Sequence, residues 1–269
     1  HLIHWKTLFK SDLIKTNQTN GSEIALKAAK FWKKPFIGRM GFILSEFQLN
    51  RKGKDSSSYN NALEIESSLI KQADRIVVTT DEMEKKLIQI HNISKRNKIV
   101  KIPNYVDTKL FSPNYNKVEK KFDLIFIGRV EKQKNIKNLL KAITQLKIKS
   151  LIIGKGSLKN ELLDKYNSPL IQWIDKVDNE RLPEHLNNAN IFILPSFYEG
   201  HPKTLIEAMS SGTAVIGSNR PGIKNIISNK VNGILCDISE DGISKEISSL
   251  LSTPDLRENI GKNARKFVI

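Results

Sequence analysis

Two glutamates, Glu199 and Glu207, stand with seven residues between them where a predicted strand is followed by a predicted helix. The apolar run 191–194 predicts a short buried strand, and Pro202 suits the first helical position because proline has no N–H to leave unpaired. Glu199 then lies in the loop and Glu207 in the second helical turn. A helix N-terminus has free N–H groups and a partial positive charge, which favour a phosphate. A phosphate site flanked by two carboxylates suits a sugar nucleotide.

A second candidate segment combines an apolar strand, 124–130, with a basic loop and a predicted helix. Gly128 permits close approach of the backbone, and Arg129 and Lys134 can both reach a diphosphate from one loop. In so basic a protein the loop is also compatible with a solvated turn. An open parallel sheet binds ligands at the carboxyl ends of its strands, so both loops are expected to face one crevice.

The segment 195–212 reads P-S-x-x-E-G-x-P-x-x-x-x-E-A-M-x-x-G and resembles the E-x7-E signature of the retaining family 4 glycosyltransferases. In that family the first glutamate contacts the hydroxyls of the donor sugar and the second contacts the nucleotide ribose. The resemblance implies these roles for Glu199 and Glu207. Two cations neutralise the leaving nucleoside diphosphate in the family, which implies that role for Arg129 and Lys134.

The resemblance also implies further donor contacts along the same strand ends. Lys176 and Val177 occupy the stretch where relatives hold the nucleobase through backbone groups, although an ordinary strand exit fits them equally well. His201 could touch the donor sugar or only line the wall of the site. The remaining donor-binding residues expected from the resemblance are Gly128, Gly200, Thr204 and Leu205.

Strands and helices alternate at the spacing of βαβ units, which predicts parallel sheets wound by helices. The resemblance implies an α/β fold of two Rossmann-like domains, the GT-B type. The segment 102–107, IPNYVD, resembles the connector between the family's acceptor and donor domains, with Tyr105 replacing a glycine; a positive φ there would strain tyrosine. We therefore expect a partial acceptor-side domain at 1–105, a connector at 106–120 and a nucleotide-sugar-binding domain at 121–269. Relatives have additional elements at both ends, so a truncated fragment with an incomplete first domain is expected.

In the first domain, Arg39 is the candidate functional residue. It lies near the position where many relatives carry a histidine close to the donor sugar, and Gly41 stands in that region here. Arg39 would contact the acceptor or the diphosphate, or else be a paired surface arginine. Acceptor contacts vary among such folds and do not identify a substrate.

Charge and composition restrict the partners. The chain has 44 Lys and Arg against 28 Asp and Glu, a net charge of +16, and residues 1–120 hold 22 basic and 12 acidic residues, or +10. This excess suits a lipid-phosphate acceptor or an anionic inner leaflet, while the codon bias of an AT-rich genome would also explain many lysines. No apolar run approaches 18 residues, so a cytoplasmic location, with peripheral association at the inner membrane face as an option, is expected.

Other residue types predict no metal and no cofactor. The sequence has no D-x-D pair near a strand end, and its five histidines form no spaced ligand cluster. The single cysteine, Cys236, is expected to be a buried apolar residue. Trp5, Trp32 and Trp173 are expected in the core.

The function predicted from these features is transfer of a hexose from a UDP- or GDP-linked donor to a saccharide or lipid-linked acceptor, with retention of configuration. A sugar-nucleotide epimerase or hydrolase is the alternative, because the same site would bind the donor whatever follows. A basic nucleic-acid-binding module is a third hypothesis. It requires aromatic residues interleaved with the basic ones, and these are largely absent, so no nucleic-acid partner is expected.

Overall fold

The computed structural model describes residues 4–94, 98–114 and 119–269 and divides the chain into two compact units, His1–Asn104 and Tyr105–Ile269. Each unit has its own buried core. The segment 106–120 is counted with the second unit, where Phe111 is 1% exposed. Tyr105 is not among the described residues with a positive φ, so the strain considered for it does not arise.

The first unit is a parallel sheet with the strand order β1-β2-β3-β4, flanked by helices. The strands are β1 (Ile14–Lys15), β2 (Phe36–Arg39), β3 (Arg75–Val78) and β4 (Ile99–Lys101), and the helices are α1 (Trp5–Lys10), α2 (Ser22–Phe31), α3 (Leu44–Lys52), α4 (Ser57–Gln72) and α5 (Asp81–His91). All four strands point the same way, so their carboxyl ends share one edge.

A buried carboxylate joins three helices of this unit. Glu66 of α4 is completely buried and accepts a hydrogen bond from the Ser45 N–H at the start of α3, with 3.0 Å between nitrogen and oxygen. Its other oxygen lies 2.9 Å from Nε2 of His91 in α5. Burying a carboxylate is costly unless its oxygens are paired, so these two contacts stabilise the position of α4 against α3 and α5.

The second unit is a parallel sheet with the order β10-β9-β8-β5-β6-β7. Its strands are β5 (Phe122–Ile127), β6 (Ser150–Ile153), β7 (Ile171–Ile174), β8 (Ala189–Leu194), β9 (Ala214–Ser218) and β10 (Ile234–Cys236). Its α-helices are α6 (Ile136–Leu146), α7 (Lys159–Lys165), α8 (Leu182–Asn187), α9 (Lys203–Ser210), α10 (Glu240–Ser252) and α11 (Pro254–Val268), with short 3₁₀ helices at Lys132–Lys134 and Asn179–Arg181. Read along the chain, this is the strand order of a Rossmann sheet.

The central strands of this sheet are apolar on both faces. Leu124, Ile125 and Phe126 in β5 are all 0% exposed, as are Phe192 and Ile193 in β8. Parallel strands covered by helices on both sides have such continuous apolar runs. The alternating βαβ pattern therefore predicted the parallel sheet, and the apolar run 191–194 predicted a buried strand.

The last helix is attached by one arginine. The Arg265 side chain in α11 donates from Nη1 to the carbonyl oxygens of Phe111 and Ser210, each at 2.6 Å. Ser210 is the last residue of α9, so this contact ties α11 to the end of the helix that begins at the candidate site. The Ser210 hydroxyl also donates to the Phe111 carbonyl, at 2.7 Å.

Two details differ from the sequence expectation. Pro202 is the N-cap residue of α9, with ψ of 113°, and the helix begins at Lys203 rather than at the proline. Trp5 is not a core residue, because it lies on α1 and is 50% exposed, while Trp32 and Trp173 are half-buried. A short helix with no buried residue cannot place its tryptophan in a core.

Cys236 is buried at the end of β10, as expected. Burial raises the pKa of its thiol to about 12, which leaves it protonated and unreactive at neutral pH. No helix in the part of the chain that the structure describes combines the length and the apolar character needed to cross a bilayer.

Candidate functional site

The candidate site lies where the strand order of the second unit changes direction. From β5 the chain passes outward to β6 and β7 and then returns to β8, which pairs with β5 on its other side. The loops that follow β5 and β8 therefore leave the same edge of the sheet in opposite directions, and ligands of open α/β sheets bind at such a switch point. Both sequence-predicted loops are thus neighbours.

Glycines allow the loop after β5 to lie against the loop after β6. A Cβ on Gly154 would lie 1.8 Å from the Gly128 carbonyl oxygen, and one on Gly156 would lie 2.2 Å from the Val130 carbonyl oxygen. Neither distance is possible for a real side chain, so these positions require glycine. The close contact sets the path of the chain that leads to Arg129 and Lys134.

Gln133 joins the two loops. Its backbone carbonyl accepts from the Phe197 N–H at 2.9 Å, and its side-chain Nε2 donates to the Tyr198 carbonyl at 2.9 Å. Its Oε1 accepts from the guanidinium of Arg129 at 3.3 Å. One neutral side chain thus fixes the residue before Glu199 and also contacts Arg129, which is exposed.

Lys134 and Glu199 form a largely buried ion pair across the two loops. Nζ of Lys134 lies 2.5 Å from Oε1 of Glu199, and the two side chains are 12% and 9% exposed. Charges removed from water are tolerated in proteins when they are paired. The structure therefore brings together one of the two predicted cations and the first predicted glutamate in direct contact.

The first turn of α9 presents backbone N–H groups beside this pair. Pro202 contributes no side-chain cap, and the first intrahelical hydrogen bond runs from the Ile206 N–H to the Pro202 carbonyl at 3.5 Å. The N–H groups of Thr204 and Leu205 belong to the turn that has no intrahelical acceptors. The Leu205 side chain is fully buried in the core, so only its backbone is available to a ligand.

Glu207 lies one turn further into α9 and is 3% exposed. Its Oε1 accepts from Nδ2 of Asn179 at 3.3 Å and lies 3.6 Å from Nζ of Lys203. Burial raises the pKa of Glu207 above its ordinary value, and Lys203 and Asn179 oppose that shift. Glu207 is thus a desolvated carboxylate with partners different from those of Glu199.

The other predicted donor contacts lie on the same edge of the sheet. Gly200 and His201 stand between Glu199 and α9, and burial lowers the pKa of His201, which favours the neutral ring at neutral pH. Lys176 is exposed just beyond β7, whereas Val177 packs against the core. Among the described residues, Lys176 forms no ion pair with Glu199 or Glu207.

Arg39 belongs to the first unit, at the carboxyl end of β2. Its Nη2 donates to Oδ1 of Asn104 at 2.6 Å, and its backbone N–H donates to Oγ1 of Thr16 at 3.0 Å. Within the described residues its side chain is in no ion pair. Its side-chain partner is thus a neutral amide, and the role of Arg39 stays a prediction.

Sequence reasoning missed the residues that hold the predicted ones in place. These are Gln133, Asn179, Lys203 and Gly222. Lys203 was detectable, because a lysine four residues before a glutamate in a helix can pair with it. The other three act across segments distant in sequence, and no local pattern marks them.

The described residues contain no group of three or more His, Cys, Asp or Glu side chains placed to hold a metal ion. The expectation that no metal is required stays a prediction.

Comparison with known proteins identifies the family. Residues 107–267 match the family model described as glycosyl transferases group 1. This match covers more than half of the chain, and the chain belongs to that family.

Two curated relatives have informative names. One is N,N'-diacetylbacillosaminyl-diphospho-undecaprenol alpha-1,3-N-acetylgalactosaminyltransferase of Campylobacter jejuni, 31% identical over 170 residues, which are 60% of this chain and 44% of the relative. Another is UDP-Gal:alpha-D-GlcNAc-diphosphoundecaprenol alpha-1,3-galactosyltransferase of Escherichia coli, 28% identical over 221 residues, 68% of this chain and 55% of the relative. The chain spans about half the length of these relatives.

Among solved structures, Anabaena HepE in complex with UDP and glucose matches 98% of this chain and 74% of its own, with a TM-score of 0.82 and 15% identity. At that identity the likeness establishes the fold. The α/β fold with two Rossmann-like units of the GT-B type, expected from the sequence, is therefore confirmed.

Gly222 packs against the backbone of Glu199, and replacing it tests the geometry of the site. Its φ is +83°, and a Cβ there would lie 2.2 Å from the Glu199 carbonyl oxygen. We expect Gly222→Ala to lower the free energy of unfolding by more than the roughly 1–2 kcal/mol of a left-handed residue alone, because the Glu199 backbone must also move. Gly21→Ala is the control, since this glycine is left-handed with φ of +79° and its Cβ would meet nothing within 4 Å. Equal losses for the two variants in thermal or denaturant unfolding would contradict this role.

Burial of Glu207 predicts that its carboxylate lowers the stability of the folded protein at neutral pH. Its folded-state pKa is raised above the ordinary 4.5, so the folded chain binds a proton more readily than the unfolded chain. Stability is therefore lost as pH rises from 4.5 through the folded pKa, and the cost persists at neutral pH. We expect Glu207→Gln to raise Tm at neutral pH, with the gain shrinking as the pH falls through the folded pKa toward 4.5. The exposed Glu258→Gln change, which also removes a pair with a lysine four residues away, should give no such gain in the same Tm series.

Proposed function

We propose that the protein transfers a sugar from a UDP- or GDP-linked donor to a saccharide or lipid-linked acceptor, with retention of configuration. The observation that carries this proposal is the contact between Lys134 and Glu199 at the switch point, beside the first turn of α9. The cation and the helix N–H groups suit the diphosphate of a nucleotide sugar, and the carboxylate suits the hydroxyls of its sugar. The names of the two curated relatives, both transferases that act on diphospho-undecaprenol-linked sugars, support a lipid-linked acceptor.

Stabilisation of the leaving group is the main chemical task in this proposal. The bond between the anomeric carbon and the diphosphate oxygen breaks, and its electron pair goes to the diphosphate. The acceptor oxygen bonds to the anomeric carbon, and its proton passes to an oxygen of the departing diphosphate. Arg129, Lys134 and the N–H groups of Thr204 and Leu205 face the departing negative charge, and one such fixed donor is typically worth about 2.7–4 kcal/mol. We propose that these groups act without a divalent metal ion.

The ion pair has a specific role before the donor binds. Glu199 satisfies Lys134 while the diphosphate is absent, which avoids an unpaired buried cation. When the donor arrives, Lys134 turns to the diphosphate and Glu199 becomes free to accept hydrogen bonds from the sugar hydroxyls. A nucleoside diphosphate without a sugar offers no hydroxyls in exchange for the lost pair, so the complete donor is favoured.

The second glutamate positions the nucleoside in this proposal. Glu207 accepts from the ribose hydroxyls, and Asn179 and Lys203 hold its carboxylate in place. The nucleobase lies against backbone groups at Lys176 and Val177. His201, neutral at neutral pH, lines the sugar side without adding a positive charge that would oppose the cationic sugar of the transition state.

Replacing Lys134 tests the transfer reaction. Lys134→Gln should lower kcat/KM for transfer by about 100- to 1,000-fold, the loss expected for one fixed donor to a developing anion. Lys132→Gln in the same 3₁₀ helix is the control, because Lys132 is exposed and should leave the rate nearly unchanged. The assay follows transfer from UDP- and GDP-sugars by mass spectrometry, with the anomeric configuration of the product read by NMR. Free monosaccharide or an epimer as the only product, or full activity of Lys134→Gln, would refute the proposal.

Replacing Glu199 tests the exchange of partners. Glu199→Gln ends the ion pair and frees Lys134, so a nucleoside diphosphate should bind more tightly, on the order of tenfold for a change of about 1.4 kcal/mol. Binding of the complete nucleotide sugar should gain less, because the carboxylate that accepts from its hydroxyls is gone. Calorimetric titration gives both values, and Glu240→Gln, which removes the Lys141–Glu240 pair elsewhere, should change neither. Weaker diphosphate binding by Glu199→Gln would show that the pair does not compete with the ligand.

A further inference from the structure

Two helices of the first unit expose large apolar side chains that the core does not use. On α1, Trp5 is 50% exposed and Phe9 is 63% exposed, and on α2, Ile24 is 69% exposed and Phe31 is 65% exposed. Trp5 and Phe9 are four residues apart and Ile24 and Phe31 are seven apart, so each pair lies on one face of its helix. Single exposed apolar residues are ordinary, but several close together mark an interaction surface.

The ends of the two helices are in contact, so the exposed side chains form one surface. The rings of Phe9 and Trp32 lie 6.2 Å apart between centroids, and those of Phe31 and Trp32 lie 5.4 Å apart, both edge to face. Nζ of Lys34 donates to the Phe9 carbonyl at 3.2 Å. Trp32 thus joins the aromatic residues of α1 to those at the end of α2.

Exposed lysines lie around these aromatic side chains, a local clustering that the sequence pattern did not indicate. We define the aromatic–basic face by its exposed residues: Trp5, Lys6, Phe9, Lys10, Ile24, Lys27, Lys30, Phe31 and Lys33. None of its five lysines takes part in an ion pair with any residue the structure describes. Their charge is therefore available to an external anion.

We infer that the aromatic–basic face binds the interface of an anionic lipid bilayer. Helices that lie in a bilayer interface combine Trp, Phe or Leu on the buried face with Lys or Arg around it, and tryptophan is enriched at the level of the lipid headgroups. Protein–protein interfaces are instead depleted in lysine. Unpaired lysines around exposed aromatic rings match the charge of anionic headgroups, and this match selects a membrane as the occupant.

Vesicle binding tests the inference directly. The protein is mixed with phosphatidylcholine vesicles with and without phosphatidylglycerol, and the bound fraction is measured by sedimentation. We expect binding to the anionic vesicles only, with a steep decrease as salt is added. The emission of Trp5 should shift to shorter wavelength on binding, and Trp5→Phe should remove that shift. No donor or acceptor is present, so failure here would leave the proposed transferase reaction standing.

Two double variants distinguish binding through the aromatic–basic face from nonspecific adsorption to vesicles. Phe31→Ser/Lys27→Gln should lower the partition coefficient by at least about tenfold, because one lysine beside an anionic surface already contributes about fivefold. Phe267→Ser/Lys266→Gln in α11 removes an exposed phenylalanine and an exposed lysine elsewhere and should leave binding unchanged. Circular dichroism and thermal unfolding establish that both variants are folded.

Three results would overturn the inference. The first is the absence of binding to anionic vesicles, and the second is equal loss of binding in both variants. The third is a different occupant of the face. This would be shown by a dimer in light scattering that becomes a monomer in Phe31→Ser/Lys27→Gln, or by tighter binding to a labelled single-stranded oligonucleotide than to vesicles.

Discussion

The pairing of β5 with β8 is the constraint on which the second unit's site depends. The register places Leu124 opposite Ile191, so the two strands end at the same level and their loops leave the sheet side by side. Because β6 and β7 lie on one side and β9 and β10 on the other, the two loops diverge and leave room for a ligand. Residues 65 positions apart, Lys134 and Glu199, meet only for this reason.

The buried charged groups at the switch point differ in how well their burial is compensated. Lys134 and Glu199 are nearly removed from water, and each is tolerated because the other is present. Glu207 is less well compensated, since burial shifts its pKa upward in spite of Lys203 and Asn179. A buried carboxylate that costs stability in the absence of a ligand is expected where binding requires it. The surrounding apolar strands of the unit provide the stability that offsets this cost.

The two units differ in where their polar and apolar groups lie. The second unit buries charged side chains at one edge of an apolar sheet, whereas the first unit exposes aromatic side chains among lysines. Residues 1–120 hold +10 of the +16 net charge, but the charge count alone fits both codon bias and an anionic partner. The structure adds that five of these lysines lie around Trp5, Phe9 and Phe31. This clustering favours an anionic partner over codon bias as the explanation of their charge. Trp5 shows this most clearly, because its residue type indicated a core position and its short helix places it outside.

The sequence by itself determined the class of fold and predicted the two loops and a sugar-nucleotide site in them, since βαβ periodicity and the E-x7-E spacing are local patterns. It also predicted a division of the chain near the IPNYVD segment, and the structure divides the chain into two units after Asn104. Only the tertiary structure decided that Lys134 pairs with Glu199, that Gln133 joins the loops and that Asn179 holds Glu207. These contacts join segments that local propensity treats independently, and they depend on the strand order, which is set by the packing of the whole sheet.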